Sequence, residues 1–421
     1  MNGTSLRIPM ALLLLALTGC AQGPLPIATP TAVPTTTPAT VPTSTPAPTN
    51  TPQPPAYEPD PVTITVGADD CDFITIQDAI DDAGTSPGDV ITVIDPVHTE
   101  AGITVDKDVV IQGLGAGRTV VQAHAALSQA PDRAFLVPEG ATAAIKGMTI
   151  RHGHPAAYPR GGGGIANFGT LTVEKCIIRD NSANDGGGIF NQGVLTVTNC
   201  TISGNTADKI APPGYECGSG GGIKNGFRGT LALVNCTISG NHAVGKAGGL
   251  FVACEGHAAL TNCTISGNQT EHSGGGLFVK GGLELLHCTV SENASREPGG
   301  GIYVRSSLDF TSSIVANNVK GDIYLGGPGG YQGKGVIGTN VNNWVGDGSC
   351  PSEYCGDPML GPLADNGGDT PTHALLPGSP AIDVLPVPAC MVPTDQRGVP
   401  RPIHISSYAP VCDLGAFERQ P

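Results

Sequence analysis

The sequence predicts an all-β fold, a solenoid of stacked coils with a period near 25 residues, and three observations carry that prediction. The phrase "NCTISGN" stands at 199–205, 235–241 and 262–268, with "HCTVSEN" at 287–293; its cysteine position recurs at Cys176, Cys200, Cys236, Cys263 and Cys288, at intervals of 24, 36, 27 and 25. A glycine block keeps step with it, ending at Ile165, Ile189, Ile223, Leu250, Leu277 and Ile302. With 61 Gly, 4% aromatic and 14% charged residues, the chain is made of small and β-branched side chains suited to tight stacked strands and turns. Three short β-segments per coil, separated by Gly and Asn turns, form the repeat pattern of a β-solenoid.

Before the repeats come two segments of different character. Arg7 precedes the apolar run "ALLLLAL" at 11–17, which is too short to span a bilayer as a helix and reads as an export signal over residues 1–19. Leu17-Thr18-Gly19-Cys20 resembles the bacterial lipobox, which implies cleavage before Cys20 and acylation of its sulfur. Residues 20–61 are then a Pro/Thr-rich stalk, extended and without a core of its own. Lipid, stalk and domain together predict an exported protein, anchored to the cell membrane or outer membrane and facing the exterior.

The folded part opens at residue 62. Val62–Val66 alternates like a strand, and Thr75 with Asp78 three residues on marks a helix start. Ile76, Ala79, Ile80 and Ala83 make one apolar stripe on that helix, which is expected to cap the N-terminal end of the stack. The β-helix itself is expected over 62–345 and a loop-rich C-terminal cap over 346–421.

The phase within a coil can be read from "VLTVTNCTISGN". Leu195 and Val197 alternate inward, as do Cys200 and Ile202, but the step from Val197 to Cys200 is three, so a corner falls between them. The five cysteines are therefore expected as an inward ladder of small soft bricks, either free thiols or partly oxidised pairs, since five cannot all pair. Asn181, Asn205, Asn241, Asn268 and Asn293 are expected to form a second ladder at equivalent turns. Thr201 and Ser203 with their counterparts are expected to face water. The remaining cysteines suggest staples, Cys217 with Cys254 across the longest coil, Cys350 with Cys355, and Cys390 with Cys412; Cys71 has no evident partner.

The coils, with "GGGI" and "TISGN" alternating, resemble the right-handed parallel β-helix of the pectate-lyase-like superfamily, and more closely the repeats of polymorphic outer membrane proteins. The stretches "DPMLGPLADNGGDTPTHALLPGSPAIDV" (357–384), "TDQRGVPRP" (394–402) and "CDLGAFE" (412–418) resemble the choice-of-anchor Q domain that ends many bacterial surface β-helix proteins. The resemblance implies a right-handed single-stranded parallel β-helix displayed at a surface, rather than a particular reaction.

Chemistry is sparse. The net charge of −15, with basic residues scattered, speaks against binding nucleic acid. No catalytic residue and no metal ligand is assigned from the sequence. "RHGH" at 151–154 is the best single candidate, but two His without a third ligand are a weak signal, and His242, His257, His272 and His287, spaced by 15, cannot stack in a coil near 25. Acids such as Glu174, Asp180, Glu255 and Glu284 occupy different coil positions. The expectation is a non-enzymatic surface protein for adhesion, or for binding extracellular glycans or neighbouring cell surfaces, with Tyr158, Tyr215, Tyr303, Tyr331 and Trp344 as the few sugar platforms. The alternative is a polysaccharide lyase, for which Ca²⁺ would be the cofactor, or a glycoside hydrolase.

Overall fold

A computed structural model describes residues 61–155, 161–208, 218–326, 334–349, 352–401 and 411–420. Cys20, the signal and stalk segments, Cys217, Cys350, Tyr158, Tyr215 and Tyr331 lie outside the described residues. The chain winds as a parallel β-helix. One coil runs through Ile165–Asn167, Thr170–Glu174, Ile177–Arg179 and Ser182–Ala183 before the next begins at Ile189. Successive coils pair in parallel, giving an 11-stranded sheet of the longer strands (sheet I), a second 11-stranded sheet (sheet II), a nine-stranded sheet (sheet III) and a five-stranded ladder of two-residue strands.

The expected corner is real and has a specific backbone reason. Between sheets I and II, from the strand Thr170–Glu174 onward, every coil turns on a residue with positive φ: Lys175 (52°), Asn199 (54°), Asn235 (55°), Asn262 (50°), His287 (50°), Ser312 (51°) and Asn342 (54°). Asn tolerates that conformation better than other side chains, which explains the Asn before most of the cysteines. The glycine blocks answer a different need. A Cβ on Gly187 would lie 2.4 Å from the Thr206 carbonyl oxygen and 2.5 Å from that of Gly221, so a side chain there would collide with the next coil.

Inside the coil, Leu171, Leu195, Leu231, Leu283 and their partners stack in register with the cysteines and isoleucines to form one continuous core. Cys176, Cys200, Cys236, Cys263 and Cys288 are all buried free thiols, and each sulfur donates to backbone carbonyls, as Cys200 does to Thr198 O at 3.1 Å. Burial, with neighbouring sulfurs, pushes the Cys200 and Cys263 thiols well above their usual range. The asparagine ladder is continuous too. Each Nδ2 donates to the Oδ1 of the next coil, from Asn181 through Asn205, Asn241, Asn268 and Asn293, at 2.9–3.0 Å. It then runs on through Asn318 and ends on the Asp322 carboxylate, an end the repeat phrase does not announce.

The N-terminal end is closed by a short helix, α1 (Ile76–Asp81). The Thr75 hydroxyl accepts from Asp78 N at 3.0 Å, and the Glu100 carboxylate takes the N–H groups of Ile76 and Gln77 at 2.8 and 2.9 Å. Ile76, Ala79 and Ile80 are fully buried on the core. At the other end, residues from 357 onward form two small antiparallel pairs, Leu360–Ala364 with Thr372–Leu375 and Leu385–Pro386 with Val411–Cys412, the latter tied by a Cys390–Cys412 disulfide. Cys254 is disulfide-bonded. Cys355, expected to pair with Cys350, is instead an exposed free thiol at the end of sheet II.

Candidate functional site

The Thr/Ser rows occupy sheet II in register, Thr201, Thr237, Thr264 and Thr289 in one column and Ser203, Ser239, Ser266 and Ser291 in the other. They do not all face water. Thr237, Thr264 and Ser291 are fully buried, and Ser266 and Thr289 nearly so, because the C-terminal segment folds back along the flank of the solenoid and lies on them. Gln396 bridges two coils, its Nε2 donating to Thr237 Oγ1 (2.8 Å) and its Oε1 accepting from Thr264 Oγ1 (2.7 Å). His373 Nε2 meets Ser266 Oγ at 2.8 Å, and the Ala416 N–H donates to Thr289 Oγ1 at 3.1 Å. The hydroxyls of Thr237, Thr264, Ser266 and Thr289, which look like a solvated strand face, are hydrogen-bonding seats for a distant part of the chain.

Charged groups are buried under the same segment. Arg397 donates from Nε and Nη2 to one Asp395 oxygen, at 2.9 and 2.7 Å, and stacks 3.7 Å above the Phe417 ring centroid. Arg401, fully buried, donates to the carbonyls of Asp413 (2.9 Å) and Gly415 (2.7 Å) and lies 3.5 Å from Glu418. Its Nη1 is 2.9 Å from His287 Nδ1, so that nitrogen is the acceptor and the imidazole is neutral. Burial, reinforced by Arg401, holds His287 down at about 3. Burial raises Asp413 to about 6 and Glu418 to about 7, although Arg401 pulls both the other way.

The "RHGH" residues do not converge. Arg151 binds Gln122 Oε1 (3.0 and 2.8 Å), His152 Nδ1 meets the His124 carbonyl (3.0 Å) and His154 Nδ1 meets Ser182 Oγ (2.6 Å). His242, His257 and His272 lie against Glu271, Glu284 and Glu297 on different coils. Among the described residues no group of three or more His, Cys, Asp or Glu is placed to hold a metal ion, so the donor set for a lyase-type Ca²⁺ is not assembled there. Trp344 is buried and stacked on Tyr354, with ring centroids 5.8 Å apart, which removes it as a sugar platform. One carboxylate pair escapes a reading of the repeat phrase alone. Glu284 and Asp309 are register partners on neighbouring strands of sheet I, and the signal was present as "LELL" and "LDFT" 25 residues apart.

The concave feature that stands out lies on sheet III near the N-terminal end. It encloses about 600 Å³ between Gly102, Thr104, Asp132, Arg133, Leu136, Gly161, Phe168, Phe190 and Gln192. Four successive coils, far apart in sequence, contribute to it, which is why no motif announces it. Phe168, 37% exposed, and the half-buried Phe190 set tilted rings 5.9 Å apart on one wall. Arg133 is fixed by bonds to Asp132 Oδ1 (3.2 Å) and the Gly161 carbonyl (2.7 Å). A Cβ on Gly161 would come within 2.7 Å of the Phe190 ring, so this glycine lets the ring lie against the wall. Apolar ring surface beside a few fixed polar groups is the usual make-up of a small-molecule site.

These features define a right-handed parallel β-helix protein. The family model described as "Right handed beta helix region" matches residues 134–327. Among solved structures, the crystal structure of pectate lyase Pel9A is similar, with a TM-score of 0.50 and 13% sequence identity over 87% of this chain and 98% of that one. At that identity the likeness is one of fold. Among curated protein sequences none matches this chain.

Proposed function

We propose that the protein is a membrane-anchored surface protein that displays its β-helix for adhesion or glycan binding, with the sheet III groove as its contact site. The observation that supports this reading is the groove itself, whose lining brings two aromatic rings together with the fixed Asp132–Arg133 pair and Gln192. Ring faces take the C–H faces of a sugar, and the polar rim takes its hydroxyls. The Cys20 lipobox and the Pro/Thr stalk add the anchor and the reach.

Titration of the full chain against a glycan array, with a cell-attachment assay beside it, tests the proposal. Phe190→Ala is expected to weaken the leading glycan at least about tenfold while leaving the circular dichroism of the β-helix unchanged, the loss of roughly one ring's contact. No binding in either assay, or equal binding by Phe190→Ala, overturns it.

The stacked Glu284 and Asp309 favour a second reading, a glycoside hydrolase. Neighbouring strands lie about 4.8 Å apart, so the two carboxylates stand on adjacent rungs, Glu284 beside His257 (3.2 Å) and Asp309 accepting from the Thr339 N–H, and a substrate lying along the sheet would meet both. Reducing-sugar release that Glu284→Gln abolishes would support it; ultraviolet-absorbing unsaturated products would indicate a lyase instead.

A further inference from the structure

The C-terminal segment is held against sheet II by groups whose charges do not balance. Three carboxyl groups, Asp395, Asp413 and Glu418, are buried with two guanidinium groups, Arg397 and Arg401. The sixth member, His287 on the solenoid, accepts from Arg401 and carries no charge. With every carboxyl ionised the cluster holds three negative charges against two positive ones. Where water is excluded, an unmatched charge is far more costly than at the surface, and one proton shared between carboxyls removes it.

Geometry says which carboxyls share the proton. Asp395 accepts from Arg397 Nε and Nη2 and from the N–H groups of Arg397, Val399 and Glu418, so it is the carboxylate best supported as an anion. Glu418 and Asp413 are neighbours without a hydrogen bond between their carboxyl groups: Glu418 Oε2 takes the backbone N–H of Asp413 at 3.0 Å, so the proton sits on one or the other of two coupled carboxyls. Asp413 also accepts from the N–H groups of Asp383 (2.8 Å) and Arg419 (2.6 Å), and the Asp383 charge opposes its ionisation.

We propose that residues 360–401 and 411–419 form a proton-gated clasp. One proton in the Asp413–Glu418 pair keeps the segment shut over the Thr/Ser rows of sheet II, and loss of that proton loosens it and bares those rows as a second polar surface. Over the Thr/Ser rows Gln396, His373 and Ala416 hold the segment through hydrogen bonds that water can replace, while Leu375, Leu414 and Phe417 pack on Ile314 and Trp344 beside them, so the part covering the rows can loosen with the apolar contact as its pivot. The raised values of Asp413 and Glu418 set the direction. A carboxyl whose pKa is higher in the docked form stabilises docking most at acid pH, and that contribution is lost as pH rises through about 6 to 7.

The sole tryptophan provides the readout, because Trp344 packs in the same cluster as Leu375, Leu414 and Phe417 of the segment. Limited proteolysis of the full chain between pH 5 and 8.5 is expected to show cleavage within the segment rising about tenfold, with a red shift of Trp344 emission and an unchanged β-sheet spectrum. Glu418→Gln, which carries no removable proton, is expected to reduce that rise to less than about twofold. Carboxyl-carbon NMR of the unaltered chain gives an independent reading, in which one buried carboxyl titrates near neutrality. A flat cleavage profile, an identical rise in Glu418→Gln, or no neutral-range carboxyl titration overturns the proposal.

Discussion

Replacing Asn241 by alanine should remove a whole rung of the buried ladder, and its cost can be worked out bond by bond. The side chain takes part in four hydrogen bonds: Nδ2 donates to Ile202 O (2.9 Å) and Asn268 Oδ1 (2.9 Å), and Oδ1 accepts from the backbone N and the Nδ2 of Asn205, both at 3.0 Å. Asn205 Nδ2 retains a second acceptor in Ile178 O, and Asn268 Oδ1 retains the Asn241 N–H. The Asn205 backbone N–H loses its acceptor outright at a site closed to water, which costs about 1–3 kcal/mol, and the other three bonds add up to about 1 kcal/mol each. The expected loss is therefore between about 1 and 6 kcal/mol. Because this coil contacts only its neighbouring coils and the C-terminal segment seated on Thr237, the damage should be local. Native-state hydrogen exchange is the assay, with amides of strands Thr201–Ser203, Thr237–Ser239 and Thr264–Ser266 losing protection while those near α1 keep theirs. Thr196→Ala, on the half-exposed outer face of sheet I, is the control. If Asn241→Ala costs under about 1 kcal/mol by urea unfolding, or no more than the control, the ladder is not the device described here.

Thiol chemistry should divide the cysteines by position. In the native chain Cys355 should react with a thiol reagent at once and the half-buried Cys71 more slowly, while Cys176, Cys200, Cys236, Cys263 and Cys288 should react only on unfolding; mass spectrometry of labelled peptides checks this. Reducing the Cys390–Cys412 bond, which closes a loop of sequence separation 22, should lower the stability of C-terminal docking by about 3 kcal/mol, seen as an earlier Trp344 transition in urea. Gly161→Ala should displace the Phe190 ring and press on the Asp185 carbonyl oxygen of the next coil, 2.8 Å from the added Cβ, so that the groove's ligand binding weakens and the unfolding midpoint falls together, measured by titration and urea melt side by side.

The repeat made the core legible because a solenoid writes the same local problem once per coil. Inward Leu, Cys and Ile, the positive-φ asparagine and the ladder asparagine each solve that problem, so their spacing reveals the corner and the register. The sequence is much less informative wherever one coil meets something other than its neighbour. Thr264 has the same surroundings in the alphabet as Thr201, yet one is sealed under Gln396 and the other is half-open. The departure that carried information was small: "HCTV" replaces "NCTI" at 287, and the His at that corner is the residue that receives Arg401. The groove was hidden for a related reason, since Thr104, Arg133, Phe168 and Phe190 sit on separate turns and come together only through the winding.

The clasp also constrains how this protein can change length. Gln396 touches Thr237 and Thr264 at once, while Ala416 reaches Thr289 one strand further, so the segment spans a set number of rungs. Duplicating a coil between Thr237 and Thr289 would displace one contact from the next by a full strand spacing, about 4.8 Å, and no side-chain adjustment would recover all of them. Duplication among the coils before Thr201 would leave these spacings unaltered. The C-terminal segment thus acts as a ruler, fixing copy number over the stretch it covers and leaving the rest of the array free to lengthen or shorten.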